Sequence, residues 1–302
     1  MIDLDAATVL LQWAVGGLSF LWVTTRRREV GIGYGWTMRI TFGLMAVGAV
    51  VVGLVVDPVP VREAFGIGVV AATGVALVVS WQRRKAGVAG QRTEEERRSA
   101  RVAEMTGIDK DAQRFDRNVP EFPPGLDLLA PLLGLAALVA AGIDAGDPVL
   151  LALARTLVGA LFLGAVSDAM LLGHWYLVQP GLARAPIIEL VRWTAILWPF
   201  ELLVLLWPTG MLSVLSGTID DGYGGMLGWY WVASTVATIL LVGATRAALR
   251  ERQYSAVMAA TGLLYLAILT AFGMDLVARA TLAGRGVGSR LRRREGLYAR
   301  RR

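Results

Sequence analysis

The sequence has 302 residues, of which 55% are hydrophobic and 18% are charged, with a formal net charge of +6. A soluble domain carries about 25% charged residues, and here the apolar residues form segments of about 17 to 25 residues that could each cross a bilayer. Cysteine is absent and His174 is the only histidine. Disulfides, thiolate metal sites, iron–sulfur clusters and a bis-histidine haem built from this chain alone are therefore excluded.

Eight apolar segments predict transmembrane helices joined mostly by short connections. Three lie within residues 1–81 and five within 126–277, which predicts an all-α polytopic bundle in a cell membrane. The acidic N-terminus lacks the positive segment of a cleavable signal peptide, so we expect the first helix to be retained. The predicted spans are 7–24, 37–56, 64–81, 126–142, 148–173, 187–207, 226–245 and 254–277.

A polar insert at 82–125 interrupts the apolar segments. Thr93 and Glu96 fit a capping box, so a short helix should begin there and end near Gly107. Pro120 and the prolines at 123–124 predict an extended approach to the fourth span. The insert is too short and too polar to form an independent domain, and we expect a solvated linker that contains one helix.

The distribution of arginine and lysine predicts the orientation of the bundle. With the N-terminus outside, the loops after the first, third, fifth and seventh spans hold nearly all of the basic residues, and the 82–125 insert is cytoplasmic. The basic tail at 278–302 disagrees, because its nine arginines fall outside after eight spans. Seven spans would put the tail inside if 187–207 lay in the membrane interface. We predict eight because residues 195–207 are strongly apolar.

Four ionisable residues of the fifth and sixth spans predict a polar site inside the membrane, because such residues are costly there and often functional. From the 1.5 Å rise of a helix, Asp168 and Arg192 lie at similar depths, and so do Arg155 and Glu201. Two buried salt bridges are the structural interpretation. A site for a ligand, a quinone headgroup or a proton is the functional one. Pro199 predicts a kink in the same span, as in broken transporter helices or ordinary structural ones.

The segment that follows the fifth span carries His174, Trp175 and Tyr176. The two aromatic rings are typical of the headgroup level. His174 could hydrogen-bond a quinone carbonyl or shuttle protons, or it could be a structural interfacial residue. Haem is not expected from this chain alone, since the second axial ligand would have to come from elsewhere.

Motifs of soluble enzymes such as a phosphate loop, HExxH or GxSxG are missing, and no catalytic residue is predicted. Three classes of function remain. The first is a subunit of a larger membrane complex, redox-linked or quinone-linked, with other membrane subunits as partners. The second is a small-solute or ion transporter or channel, and the third is a membrane-embedded lipid-modifying enzyme. The arginine clusters predict contacts with anionic lipid headgroups rather than with nucleic acid.

Overall fold

The computed structural model describes residues 5–90, 93, 116, 118–179, 182–251 and 253–299, with side chains in the last range described through Ala283. Within these residues every regular element is helical, and seven helices are long and apolar enough to cross a membrane. The prediction of an all-α, multi-pass membrane bundle is therefore confirmed. The predicted helix of the insert, apart from Thr93, lies outside the described residues.

Each predicted span coincides with a helix to within about five residues at each end, except where the last one ends. Short 3₁₀ turns at Arg84–Ala86 and Pro124–Leu128 follow the third helix and precede the fourth. The α-helices are α1 (Ala6–Thr25), α2 (Ile32–Val56), α3 (Pro60–Gln82), α4 (Leu129–Asp144), α5 (Val149–Val178), α6 (Ala185–Leu206), α7 (Gly210–Leu215), α8 (Met226–Ala248) and α9 (Tyr254–Ala299).

Local sequence explains where several helices begin. The carboxylate of Asp5 accepts hydrogen bonds from the amides of Ala7 and Thr8, both at 3.1 Å, and so caps α1. Proline stands in the first turn of α3 and of α6, where its missing amide costs no helical hydrogen bond. Asp221 accepts from backbone amides at the start of α8, including Leu227 at 2.9 Å.

The helix α6 is not among the seven apolar spans, and it carries Glu189, Arg192 and Glu201. It nevertheless lies along α5. Nε of Arg155, near the start of α5, donates to the carbonyl of Val204 at 2.8 Å, near the end of α6. At the other end of the hairpin the hydroxyl of Tyr176 donates to the carbonyl of Ala183. Contacts at both ends make α5 and α6 an antiparallel pair, so α6 is part of the bundle rather than a helix lying flat against it.

The last predicted span ends too early. Its apolar segment runs from Tyr254 to Ala283, and the helix continues to Ala299. Arg279, which the sequence analysis assigned to the basic tail, is 2% exposed and paired with Asp275. The charge count misplaced it because an arginine with a carboxylate one turn earlier can remain inside a bundle.

The centre of the bundle is formed by α1 and α5. In each of them 56% of the most apolar stretch is buried, against 28% in α2 and α3. A Cβ at Gly16 would overlap the carbonyl of Ala160, and one at Gly164 would overlap the backbone of Gly16. The two helices thus touch backbone to backbone, which only glycine permits.

The helices alternate in direction, which defines two ends of the bundle. We call the end where α1 begins the Asp5 end; Asp57, Arg62 and Asp144 lie there as well. We call the opposite end the insert end, because the 82–125 insert leaves and re-enters the bundle there.

Candidate functional site

One of the two predicted charge pairs does not form. Asp168 is fully buried on α5, and its Oδ1 accepts a hydrogen bond from the hydroxyl of Tyr34 at 3.3 Å, while its Oδ2 has no hydrogen-bond partner. Arg192 is exposed on α6. The two residues were matched by depth alone. Depth does not fix the direction in which a side chain leaves its helix, and these two face differently.

The other predicted pair does come together, although not as a simple salt bridge. Arg155 and Glu201 interact electrostatically. The guanidinium of Arg155 donates instead to the carbonyls of Val204 and Trp207, each at 2.8 Å. These carbonyls end α6 and have no partner within their own helix. Arg155 therefore caps the C-terminus of α6, and Glu201 receives no hydrogen bond from it.

Glu201 belongs to a larger group that sequence analysis did not assemble. Nε of Arg279 donates to both oxygens of Asp275 at 2.8 Å, and its Nη2 donates to the carbonyl of Arg155 at 3.2 Å. Asp275 and Arg279 are the electrostatic neighbours of Glu201 from α9. We call this group, together with Gln12, the Glu201 cluster. It has five members, each at most 5% exposed: Gln12, Arg155, Glu201, Asp275 and Arg279.

Gln12 of α1 and Gly159 of α5 bring these two helices close to the cluster. Nε2 of Gln12 donates to the carbonyl of Thr156 at 2.6 Å, and its Oε1 has no partner. A Cβ at Gly159 would overlap Nη2 of Arg279 and would lie 3.3 Å from Oδ1 of Asp275. Glycine at this position is what lets the guanidinium lie flat on α5.

Glu201 is the unusual member of the cluster. It is fully buried, no N–H or O–H group of the described residues donates to either of its carboxylate oxygens, and the carboxyl of Asp275 lies within hydrogen-bonding reach. Ionised carboxylates in such positions are normally paired and hydrogen-bonded, because burial of the bare charge is very unfavourable. Pro199, inside α6 two residues earlier, removes one backbone donor from the same turn.

A pocket reaches the cluster from the Asp5 end. It holds about 20 Å³ of space for water-sized molecules, roughly what a single water requires. Arg279 lines this pocket and also belongs to the cluster, so it joins the two. The remaining charged or hydroxyl side chains of the pocket are Asp5, Thr8, Asp57, Arg62, Asp144 and Thr156.

Asp168 and Tyr34 form a second buried polar site nearer the insert end, which we call the Asp168 site. Asp168 follows Arg155 by 13 residues on α5, which corresponds to about 20 Å along the helix. Between them α5 presents Phe162, Leu163 and Val166, all with zero exposure. An apolar layer therefore separates the two polar sites.

The predicted residues that follow the fifth span point in different directions. His174 is exposed, and its Nδ1 lies 2.8 Å from the hydroxyl of Tyr265. Trp175 packs edge-on against Tyr34 at 6.1 Å between ring centroids, which connects it to the Asp168 site. Tyr176 is buried and closes the α5–α6 turn. None of these three residues lines the pocket that reaches the Glu201 cluster.

The sequence analysis missed Tyr34, Gln12, Asp275 and Arg279. The i, i+4 spacing of Asp275 and Arg279 at the end of an apolar segment was a usable signal for a buried pair. Tyr34 and Gln12 gave a weaker signal, because the sequence analysis looked inside the spans for residues that are charged at neutral pH. No group of three or more metal-ligating side chains occurs among the described residues.

Comparisons with protein-family models, curated proteins and solved structures give no match to this chain. What the buried cluster does has to be inferred from its own chemistry.

Proposed function

We propose that this protein transports protons across the membrane, alone or together with a small solute, and that Glu201 carries the proton. The observation that supports this proposal is a fully buried carboxylate that receives no hydrogen bond from an N–H or O–H group of the described residues and lies beside a second carboxyl, that of Asp275. Such a group is far better accommodated when it holds a proton than when it is ionised. Ionisable residues inside membrane bundles often act as proton relays for this reason.

Gain and loss of a proton at Glu201 would change the charge of the cluster. When Glu201 is ionised, two arginines face two carboxylates. When it is protonated, Arg155 and Arg279 together exceed Asp275 by one positive charge. That difference can bind or release a solute, or can alter how α6 packs against α5 and α9. The proposal therefore couples protonation to a change in contacts between helices, as a population shift requires.

Access from one side is compatible with this role. The pocket at the Asp5 end is lined by Arg279, by Arg62, which pairs with Asp5, and by the carboxylates of Asp57 and Asp144. Acidic groups that line a cleft raise the local concentration of cations and protons. The Asp168 site would serve as the second site toward the insert end. The apolar layer between the two sites has to part for passage, and it prevents a continuous leak when it is closed.

Reconstitution of the full chain into liposomes that contain a trapped pH-sensitive dye tests the proposal. A potassium gradient with valinomycin drives proton entry, and the wild type should acidify the lumen faster than protein-free liposomes do. Glu201→Gln should lower the rate to the protein-free background, because an amide cannot carry the proton. Glu251→Gln is the matched control, since Glu251 is exposed between α8 and α9, and this variant should retain the wild-type rate.

Two results would overturn the proposal. The first is a wild-type rate equal to that of protein-free liposomes under every gradient and in the presence of candidate solutes. The second is a Glu201→Gln rate equal to that of the wild type in a variant that remains monodisperse. Quinone linkage and membership of a larger complex stay predictions, for which isolation of the protein from its native membrane with its bound partners is the direct measurement.

A further inference from the structure

A second pocket, separate from the proposed proton site, opens at the insert end. It lies where α1 ends, α2 begins and the two arms of the insert meet the bundle. We call it the Arg39 pocket. It holds about 30 Å³ of space for water-sized groups, and its lining includes Arg28, Gly31, Gly35, Arg39, Val88 and Phe122.

Two of the three guanidinium nitrogens of Arg39 have a hydrogen-bond partner, and the third has none. Its guanidinium is 2% exposed and makes a two-point contact with Asp127, from Nε at 2.8 Å and from Nη2 at 2.7 Å. The ring of Phe122 lies against the guanidinium at 4.3 Å from its centroid, and the hydroxyl of Thr25 donates to Asp127 at 3.0 Å. The guanidinium is therefore fixed in place. Its Nη1 is buried and has no hydrogen-bond partner.

The unpaired Nη1 lies beside Gly35, and both Arg39 and Gly35 line the pocket. A Cβ at Gly35 would stand 2.7 Å from it, so glycine at this position leaves space next to the donor. A buried donor without an acceptor is uncommon in native proteins, since it loses its hydration without compensation. An acceptor that enters the Arg39 pocket would satisfy it.

The first turn of α2 adds donors to the same pocket. Gly31 is the N-cap residue of this 25-residue helix, and no side chain caps it. The free amides and the positive end of the helix dipole favour an anionic acceptor at this position. Arg28 also lines the pocket, with an ion pair to Glu121 at 3.3 Å.

The surroundings of the pocket are those of a membrane interface. Trp36 and Trp81 pack together at 4.9 Å between ring centroids, and Arg84 lies 4.6 Å over the Trp81 ring. Arg83, Arg84 and Lys85 follow one another where α3 ends. Aromatic belts and basic clusters of this kind lie at the level of lipid headgroups, which is where an anionic lipid phosphate would meet Nη1.

We propose that the Arg39 pocket binds a phosphate oxygen of an anionic phospholipid headgroup, which accepts a hydrogen bond from Nη1 of Arg39 and from the first amides of α2. The lipid phosphate is favoured over free phosphate because Trp36, Trp81 and the basic residues at the end of α3 lie at the same end of the bundle as the pocket, and residues of these kinds are typical of the lipid headgroup level. The bound lipid would join the start of α2 to both arms of the insert.

The test uses the full chain in detergent and measures binding of phosphatidylglycerol and of phosphatidylcholine by native mass spectrometry over a lipid titration. Val88→Trp fills the pocket without altering Arg39 and should weaken binding of phosphatidylglycerol about tenfold or more, the scale expected for loss of a charge-assisted hydrogen bond. Val78→Trp is the matched control, because Val78 is 55% exposed on α3 outside the pocket lining, and it should bind like the wild type.

Arg39→Lys provides a second variant, since lysine keeps the charge but cannot contact Asp127 at two points and also donate into the pocket. It should lose the preference for phosphatidylglycerol over phosphatidylcholine. If this variant does not fold, Val88→Trp still decides. Displacement of phosphatidylglycerol by millimolar inorganic phosphate would overturn the assignment to a lipid and favour free phosphate at the same donors. Equal affinities of wild type, Val88→Trp and Val78→Trp, or equal binding of both lipids by the wild type, would overturn the proposal.

Discussion

The ion pair between Asp275 and Arg279 allows a quantitative test of how the Glu201 cluster holds the bundle together. Its side chains are 0% and 2% exposed, and both carboxylate oxygens accept from the same guanidinium nitrogen at 2.8 Å. Removal of one member leaves an uncompensated charge in the bundle, which costs about 3–5 kcal/mol, whereas replacement of both members by apolar residues is often neutral.

We therefore expect Asp275→Leu and Arg279→Met each to lower the free energy of unfolding by about 3–5 kcal/mol. The double variant should recover most of this loss, because it removes one positive and one negative charge together. The free energy of unfolding of a typical protein is about 5–15 kcal/mol, so each single substitution would remove a large fraction of it. Denaturation by SDS of the detergent-purified chain, followed by circular dichroism, measures these differences.

Arg27→Met is the control for loss of an ion pair as such. Arg27 pairs with Glu189 at 3.0 Å, but its side chain is 44% exposed, so water replaces the partner and the expected cost is at most about 1 kcal/mol. Single variants of the Asp275–Arg279 pair that cost no more than this control would refute the reasoning. So would a double variant whose cost equals the sum of the two single costs, because the pair would then have no interaction energy of its own.

Three further predictions concern other parts of the chain. Gly16→Ala should lower the free energy of unfolding by about 1–3 kcal/mol because its Cβ overlaps a backbone carbonyl, whereas Gly243→Ala, which meets nothing within 4 Å, should raise it by about 0.5–1 kcal/mol. The pKa of the exposed Asp221 is lowered, chiefly by the backbone amide of Gly225, so its contribution to the start of α8 is present above about pH 4 and disappears as the pH falls through the lowered pKa. Hydrogen exchange of that loop, corrected for intrinsic rates, should show protection lost only below about pH 4, and a loss at pH 6 would contradict this. The purified chain should show no Soret band; a stoichiometric haem spectrum abolished by His174→Ala would reverse that expectation.

The fold was predictable because the thickness of the hydrocarbon core fixes the number of apolar residues that a helix needs to cross the bilayer. Apolar stretches of about 20 residues and their polar breaks placed all of the long helices, including α6, whose three charged residues excluded it from the apolar spans. The end of the last span was not predictable from the same rule. Asp275 neutralises Arg279 within one turn, so the charge that was expected to stop the span is carried inside it.

The candidate site was predictable in depth but not in direction. Counting residues at 1.5 Å each placed Arg155 and Glu201 at the same level, and they do interact there. The same count paired Asp168 with Arg192, yet Asp168 faces Tyr34 on α2 and Arg192 faces outward. Which side of a helix meets which neighbour depends on the arrangement of all the helices, and a single hairpin of sequence does not contain that information.

The contact between α1 and α5 connects the two halves of the proposed mechanism. Gly16 lies against Ala160 and Gly164, so the two helices touch by backbone at the level that divides the Glu201 cluster from the Asp168 site. Trp13 bridges the same interval, since its indole donates at 2.8 Å to Ser167, the neighbour of Asp168 in sequence. A proton at Glu201 can reach Asp168 only if side chains or helices move at this level. Under the proposed function, protonation of Glu201 would alter the charge balance among α5, α6 and α9, which carry the charged members of the cluster. In this proposal the charge change occurs on α6 and the barrier lies on α5, and the hydrogen bond from Arg155 to the carbonyl of Val204 joins the two helices.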